Sequence, residues 1–291
     1  MKVLPFKVPK TENESFRVQI ENESHFYSEL HSHPEIQITY IRESTGALVA
    51  GDFVGSFEPG NLVVIGSNQP HVFRNDPEYF KGEEGLKANC ISLFIRKDMF
   101  GKDFLNMPEV ESLNNFFSMS DKGMLLEGKE STKMLSLINS FQSSKGFSKL
   151  VVLFNLLEKI IDCTTFKSLS ASPLKKELNE KEGKRMNAIY QFTLKEYTNA
   201  ISINDVAEIA NLTPQSFCRY FKKHTRKSYT GFLNEIRIGH ACKMLQDVNN
   251  SVVAICFASG FNNLSNFNRQ FKASTGLSPK DYRKKFVVDN K

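Results

Sequence analysis

Phe217-Cys218-Arg219-Tyr220-Phe221-Lys222 recurs fifty residues further on as Phe267-Asn268-Arg269-Gln270-Phe271-Lys272. Thr225 and Ser228 fall on Thr275 and Ser278 at the same offset. Upstream, Val206-Ala207 and Asn211-Leu212 match Ile255-Cys256 and Gly260-Phe261 only after a shift of one residue, so the turn of the second copy is one residue longer. Phenylalanines four apart share one helix face and point inward, which leaves Arg219 and Arg269 on another face. Helix starts are marked by Ser202-Ile203-Asn204-Asp205 and Ser278-Pro279-Lys280-Asp281, both capping-box patterns, and by Thr213-Pro214. Each copy therefore reads as helix, short turn, helix.

A short helix with buried Phe and outward Arg is suited to reading DNA. Its N-terminal end enters the major groove, where Arg donates two hydrogen bonds to guanine. Lys222, Lys223 and Lys272 flank the helices as phosphate contacts. The charge agrees: from Lys184 onward there are 17 Lys and Arg against 7 Asp and Glu, whereas the preceding part carries 21 against 25. A basic block behind an acidic front is the footprint of a nucleic-acid module joined to something else. The competing reading is a helical bundle with incidental surface arginines. One helix-turn-helix pattern is weak against it, and two in tandem in the basic half are much stronger.

The run from Ile203-Asn204-Asp205-Val206-Ala207 to Phe221-Lys222-Lys223 carries a resemblance, continued by Gly260-Phe261 to Phe271-Lys272 and by Thr275-Gly276-Leu277-Ser278-Pro279-Lys280-Asp281-Tyr282-Arg283. Over about residues 186–286 the chain resembles the AraC/XylS family of transcription regulators. The resemblance implies two helix-turn-helix units joined by a long helix over Phe232–Leu245, with Arg237, Ala241 and Leu245 matching its pattern. It implies base reading by Gln215, Cys218 and Arg219 in the first unit and by Leu264, Ser265, Asn268 and Arg269 in the second. Leu264 is open between a thymine-methyl contact and core. Three positions depart from the family: Arg226 stands where Gly is usual, Cys256 replaces Ala, and Ser259 replaces an apolar residue.

The front half reads differently. Gln37–Ile41, Gly46–Val49, Phe53–Phe57 and Leu62–Ile65 are short apolar or alternating runs separated by turn signals, which suggests a sandwich or barrel. From about 98 to 165 the pattern turns helical. Leu150, Leu153, Phe154, Leu157, Ile160 and Ile161 share a face, as do Met134, Leu137, Ile138 and Phe141, a pair that suggests a helical hairpin and a dimer seam. Residues 168–184, rich in Ser, Lys and Glu, read as a linker. The expected organisation is α+β multidomain: an effector and dimerisation domain over 1–167, the linker, and an all-α DNA-binding domain over 185–291.

His31-Ser32-His33-Pro34-Glu35-Ile36-Gln37, followed by Gly60-x5-Gly66-x-Asn68-Gln69-Pro70-His71-x3-Asn75, resembles the two motifs of a cupin barrel. A metal-binding cupin adds a Glu three or four residues after the second His. Here Gln37 or Ile38 occupies that place and Glu35 is too close, so His31, His33 and His71 read first as polar groups that line a sugar or small-molecule pocket or hydrogen-bond at the barrel mouth, with no metal and no cofactor, the alternative being a divalent metal held by imidazoles without the carboxylate. Arg42 joins them as a candidate effector contact.

The leading expectation is a ligand-responsive regulator with no catalytic residues. Its partners are promoter DNA, a small effector (a sugar at family level), a second copy and, as an activator, RNA polymerase. A cupin enzyme fused to a DNA-binding domain, or a DNA binder without effector, are the alternatives. The missing Glu weighs against the first and the size of the front half against the second. Five cysteines, odd in number and without a C-x-x-C, argue for a reducing compartment. Met1–Lys7 carries no apolar signal region and no run is long enough to cross a bilayer, so a cytoplasmic protein without membrane contact is expected.

Overall fold

The computed structural model describes residues 4, 5, 8, 14–81, 85–171, 180–247 and 249–288. The chain divides into two compact units, residues 1–53 with 57–183, and residues 184–291 with 54–56.

The first unit holds β1 (Leu4–Pro5), β2 (Arg17–Glu23), β3 (His31–Ser32), β4 (Ile36–Glu43), β5 (Gly46–Ala50), β6 (Phe53–Phe57), β7 (Leu62–Ile65), β8 (His71–Asn75), β9 (Ala88–Ile95), β10 (Met124–Leu126) and β11 (Lys167–Ser168). They form two sheets, ordered β1-β3-β8-β5-β6 and β11-β10-β7-β4-β9-β2. Pairing is antiparallel apart from the short parallel contact of β1 with β3. The strands expected from the sequence are present, but the expected closed barrel is not. Closure requires each strand to be bonded on both sides, and among the described residues the two ladders do not join.

The second sheet is covered on both faces. Ile41, Val63, Ile65 and Cys90 pack with Leu48, Phe57 and Phe73 of the first sheet. Ile36, Ile38, Tyr40, Leu62, Leu93 and Ile95 pack on the other side against helices. Alternation along a strand sends neighbouring residues to opposite faces, and double coverage explains why β4 is buried from Ile36 to Ile41. The helices of this unit are α1 (Lys102–Leu105), α2 (Glu111–Ser120), α3 (Gly128–Thr132), α4 (Leu135–Ser140) and α5 (Phe147–Ile161). Met134, Ile138 and Phe141 join Leu153, Leu157 and Ile160 in the core beneath the second sheet. The apolar faces expected to make a dimer seam are thus covered largely by their own unit. The exposed side of α5 carries Phe147, Val151 and Phe154 instead.

The second unit holds α6 (Glu180–Glu196), α7 (Ile203–Ile209), α8 (Pro214–Thr225), α9 (Tyr229–Met244), α10 (Val252–Ala258), α11 (Leu264–Thr275) and α12 (Pro279–Val288). Residues 172–179 of the expected linker lie outside the described residues, while its ends are taken by β11 and α6.

Candidate nucleic-acid interface and effector site

The fifty-residue repeat is reproduced residue by residue. α8 and α11 begin and end at equivalent positions, and the turn before α11 is one residue longer than that before α8. Thr213 caps α8 by accepting from Ser216 N–H, with Pro214 in the first turn, and Asn263 caps α11 by accepting from Asn266 N–H. Thr225 Oγ1 donates to Phe221 O at 2.8 Å, and Thr275 Oγ1 to Phe271 O at 2.8 Å. Both helices end in a left-handed residue, Arg226 at φ 60° and Gly276 at φ 76°. The pattern that places Gly276 therefore places Arg226 in the same conformation, at a cost of roughly 1 kcal/mol.

Phe217, Phe221, Phe267 and Phe271 are fully buried. Each such side chain stabilises the fold by roughly 1.5–3 kcal/mol. With that face fixed inward, Gln215, Cys218, Arg219, Lys222 and Lys223 are exposed on α8. Leu264, Ser265, Asn268, Arg269 and Lys272 are exposed on α11. Leu264 is at the surface, which removes the core alternative for it. Residues 215, 218, 219 and 222 recur at helical spacing and form one stripe, repeated as 265, 268, 269 and 272.

α9 serves both halves. Phe232 stacks on Tyr190 at 5.1 Å and meets Phe221 edge-on at 5.2 Å. Further along, Ile238, Ala241 and Leu245 pack with Ile255, Cys256, Phe261, Phe267 and Phe271. Between them Arg237 donates to Tyr197 O and Asn199 O, both at 2.8 Å, and lies 5.7 Å over the Phe261 ring. Gly260 at φ +89° lets the second turn approach closely, since a Cβ there would lie 2.4 Å from Tyr197 O. The two other departures are accommodated. Cys256 is buried in the core, and buried Ser259 donates to Ile255 O at 2.7 Å.

In the first unit His31, His33 and His71 come together, all buried. The His31 and His71 ring centres are 4.2 Å apart and those of His33 and His71 5.1 Å. Each ring is tied by Nδ1 to a carbonyl: His31 to Glu29 O at 2.9 Å, His33 to Glu35 O at 3.0 Å, His71 to Gln69 O at 2.8 Å. A carbonyl only accepts, so in each case Nδ1 carries the proton. Burial pushes all three imidazoles down, His31 to about 4 and His71 well below its ordinary value, so they are neutral near pH 7. Gln37 Oε1 lies 3.0 Å from His33 Nε2 and 3.1 Å from His71 Nε2, and its amide donates to Thr39 Oγ1, which meets Ser92 Oγ.

Arg42 is not brought to this cluster. It lies one strand position off the parity of Gln37, Thr39 and Ile41, and donates to Asn139 of α4 on the other face at 2.7 Å. Asn75 holds the fold, accepting from Phe26 N–H at 2.7 Å. Gln37 is the residue that sequence reasoning passed over as a contact. It entered only as the place of a missing Glu, although its position in the same short motif as His31 and His33, at the start of β4, was the available signal.

The helix-turn-helix domain family matches residues 206–285. The HTH-type transcriptional regulator YobQ of Bacillus subtilis is 36% identical over 91 residues, which cover 31% of this chain and 38% of YobQ. The melibiose operon regulatory protein of Escherichia coli is 31% identical over 93 residues, 32% of this chain and 31% of that protein. YdeC of Bacillus subtilis, another HTH-type transcriptional regulator, is 22% identical over 277 residues, 92% of this chain and 90% of YdeC. The chain thus spans about a third of YobQ and of the melibiose protein, through the DNA-binding part, and nearly all of YdeC. These matches and the helices above define a DNA-binding domain of the helix-turn-helix class. That domain, matched over residues 206–285, is what the chain shares with these transcriptional regulators. Among the described residues no helix is long and apolar enough to cross a membrane.

Proposed function

We propose that the chain is a ligand-responsive, cytoplasmic transcription activator that reads promoter DNA with two helix-turn-helix units, α7–α8 and α10–α11, joined by α9. The observation that carries this is the matched pair of exposed stripes, Gln215, Cys218, Arg219 and Lys222 against Ser265, Asn268, Arg269 and Lys272, each on a helix whose other face is fixed by buried Phe. In this reading residues 185–291 bind DNA, 168–184 connect, and 1–167 form a cupin-like domain that takes the effector and pairs two copies. The effector site is the His31, His33 and His71 cluster, without Arg42. A sugar is the class that the melibiose operon relative suggests. The homodimer rests on the exposed side of α5, where Phe147, Val151 and Phe154 form an apolar stripe. RNA polymerase is the further partner of an activator.

The test is fluorescence anisotropy of the full chain on duplex DNA from upstream of its own gene. A protein neutralising six or more phosphates loses on the order of 10³ in affinity between 50 and 200 mM salt. Steep salt dependence with preference over unrelated DNA is the expected outcome. No binding at low salt to any such DNA removes the proposal.

A further inference from the structure

We infer that Asn266 is a positioning residue for Arg269: its side-chain oxygen holds the guanidinium in place before a base is met, so that the second helix-turn-helix unit discriminates more strictly than the first. The inference rests on the reading of α8 and α11 as base-reading helices and adds a residue to it.

The fifty-residue offset supplies an internal comparison. It pairs Thr213 with Asn263, Ser216 with Asn266 and Arg219 with Arg269. In both copies the first of these side chains caps the helix by accepting from the backbone N–H of the second, at 3.3 Å in α8 and 2.9 Å in α11. The copies part at the side chain of the second. Asn266 Oδ1 accepts from Arg269 Nη2 at 3.0 Å. Ser216 is shorter, and its hydroxyl is taken by Thr213, whose Oγ1 donates to it at 3.0 Å. Among the described residues no side chain holds Arg219 as Asn266 holds Arg269. The Asn266 bond joins positions three apart, which are neighbours on a helix surface. Asn266 is half-buried and Arg269 exposed, so the holding group sits lower on the helix than the group it holds.

An arginine arm that locks onto a base loses rotamer freedom, and ordering one such side chain weakens binding about 3- to 10-fold. A partner that holds the guanidinium beforehand removes part of that loss. It also narrows the geometry. One N–H of the planar fork is spent on Asn266, which fixes the plane, and the others remain for a base. An arm fixed in plane cannot turn to serve a different base, so a wrong base pair costs it more than it costs a mobile arm. The charges differ in the same sense. α8 carries Arg219, Lys222 and Lys223, and α11 carries Arg269 and Lys272. Attraction to phosphate is blind to sequence. The first unit therefore supplies more of the affinity and the second more of the discrimination.

The experiment is anisotropy of the full-length protein on a duplex selected by the wild-type chain from a randomised library, and on every single-base-pair change of that duplex. Arg219→Ala and Arg269→Ala mark the segment that each arginine reads. Asn266→Ala is expected to lower discrimination about 3- to 10-fold in the Arg269 segment. The Arg219 segment and the salt slope stay as they were, and the unfolding temperature is not lowered, because the cap uses only the backbone of residue 266. Added to Arg269→Ala, the same change has no further effect. Asn266→Asp, which keeps an acceptor, retains the preference while its charge weakens all sequences alike. Ser216→Asn sharpens discrimination in the Arg219 segment. An Asn266→Ala protein that leaves the Arg269 segment unchanged, or loses preference in both segments together, overturns the inference while base reading by Arg269 stands. An Arg269→Ala protein with no loss of preference at any base pair removes that base reading, and the inference with it.

Discussion

Arg219 and Arg269 occupy equivalent surface positions on helices anchored by the same pair of buried rings. If each reads a guanine, Arg219→Ala costs on the order of 1–3 kcal/mol of binding and relaxes base preference in one segment of the operator only. Arg269→Ala does the same in the other segment. Lys222→Ala weakens all sequences alike and lowers the salt slope. A library of operator point mutants separates these outcomes. Loss of preference at the same base pairs in both Arg variants sinks the tandem reading. A second prediction concerns the fold alone. Arg226 is left-handed at φ 60° where the other copy has Gly276, so Arg226→Gly stabilises the protein by roughly 1 kcal/mol in chemical unfolding. At this scale the sequence was informative wherever a residue repeats. Both Phe pairs and the match of Thr225 to Thr275 were legible from the offset alone, whereas the Thr bonds and the left-handed caps emerge from the structure. Gln37 was not, because its role depends on a strand partner, His71, that lies thirty-four positions away in the chain.

Elements were legible in proportion to how local their cause is. The capping box at Ser202 and Asp205 and the Thr213-Pro214 start are set by neighbours, and the helices begin where those residues say. The runs Gly46–Val49 and Leu62–Ile65 became strands for the same reason. What they would pack on was a different matter. Helical periodicity in α4 and α5 is the same whether the apolar face meets a partner or its own sheet, and here it meets the sheet. Strand parity already separates Arg42 from Gln37, and the layer of helices decides what it meets there, Asn139 of α4. α9 is the element with the most to lose. Arg237→Ala removes two hydrogen bonds to the carbonyls of Tyr197 and Asn199 and the cover over Phe261. It destabilises the second unit by about 1–3 kcal/mol. Arg237→Lys recovers little, because an ammonium cannot serve both carbonyls with a planar fork. Thermal unfolding of the pair checks this.

For the whole molecule the first measurement is assembly. The dimer proposed here uses Phe147, 78% exposed, with Val151 and Phe154. Light scattering of the full chain at micromolar concentration is expected to give a dimer, and Phe147→Asp with Phe154→Asp a monomer that is still folded. A wild-type monomer, with and without DNA, leaves the stripe without that role. The fifty-residue repeat has a consequence of another kind. Within each copy the residues that keep the scaffold, the Phe pair and the Thr that donates to the carbonyl of its second Phe, are separate from those that face outward. The outward sets have already diverged, Gln215 and Cys218 against Ser265 and Asn268, on helices of identical length. On the proposed reading, a lineage carrying this chain retargets half of its operator by drift at three or four surface codons while the other half keeps the gene under control, so that new regulatory wiring arises through intermediates that remain functional.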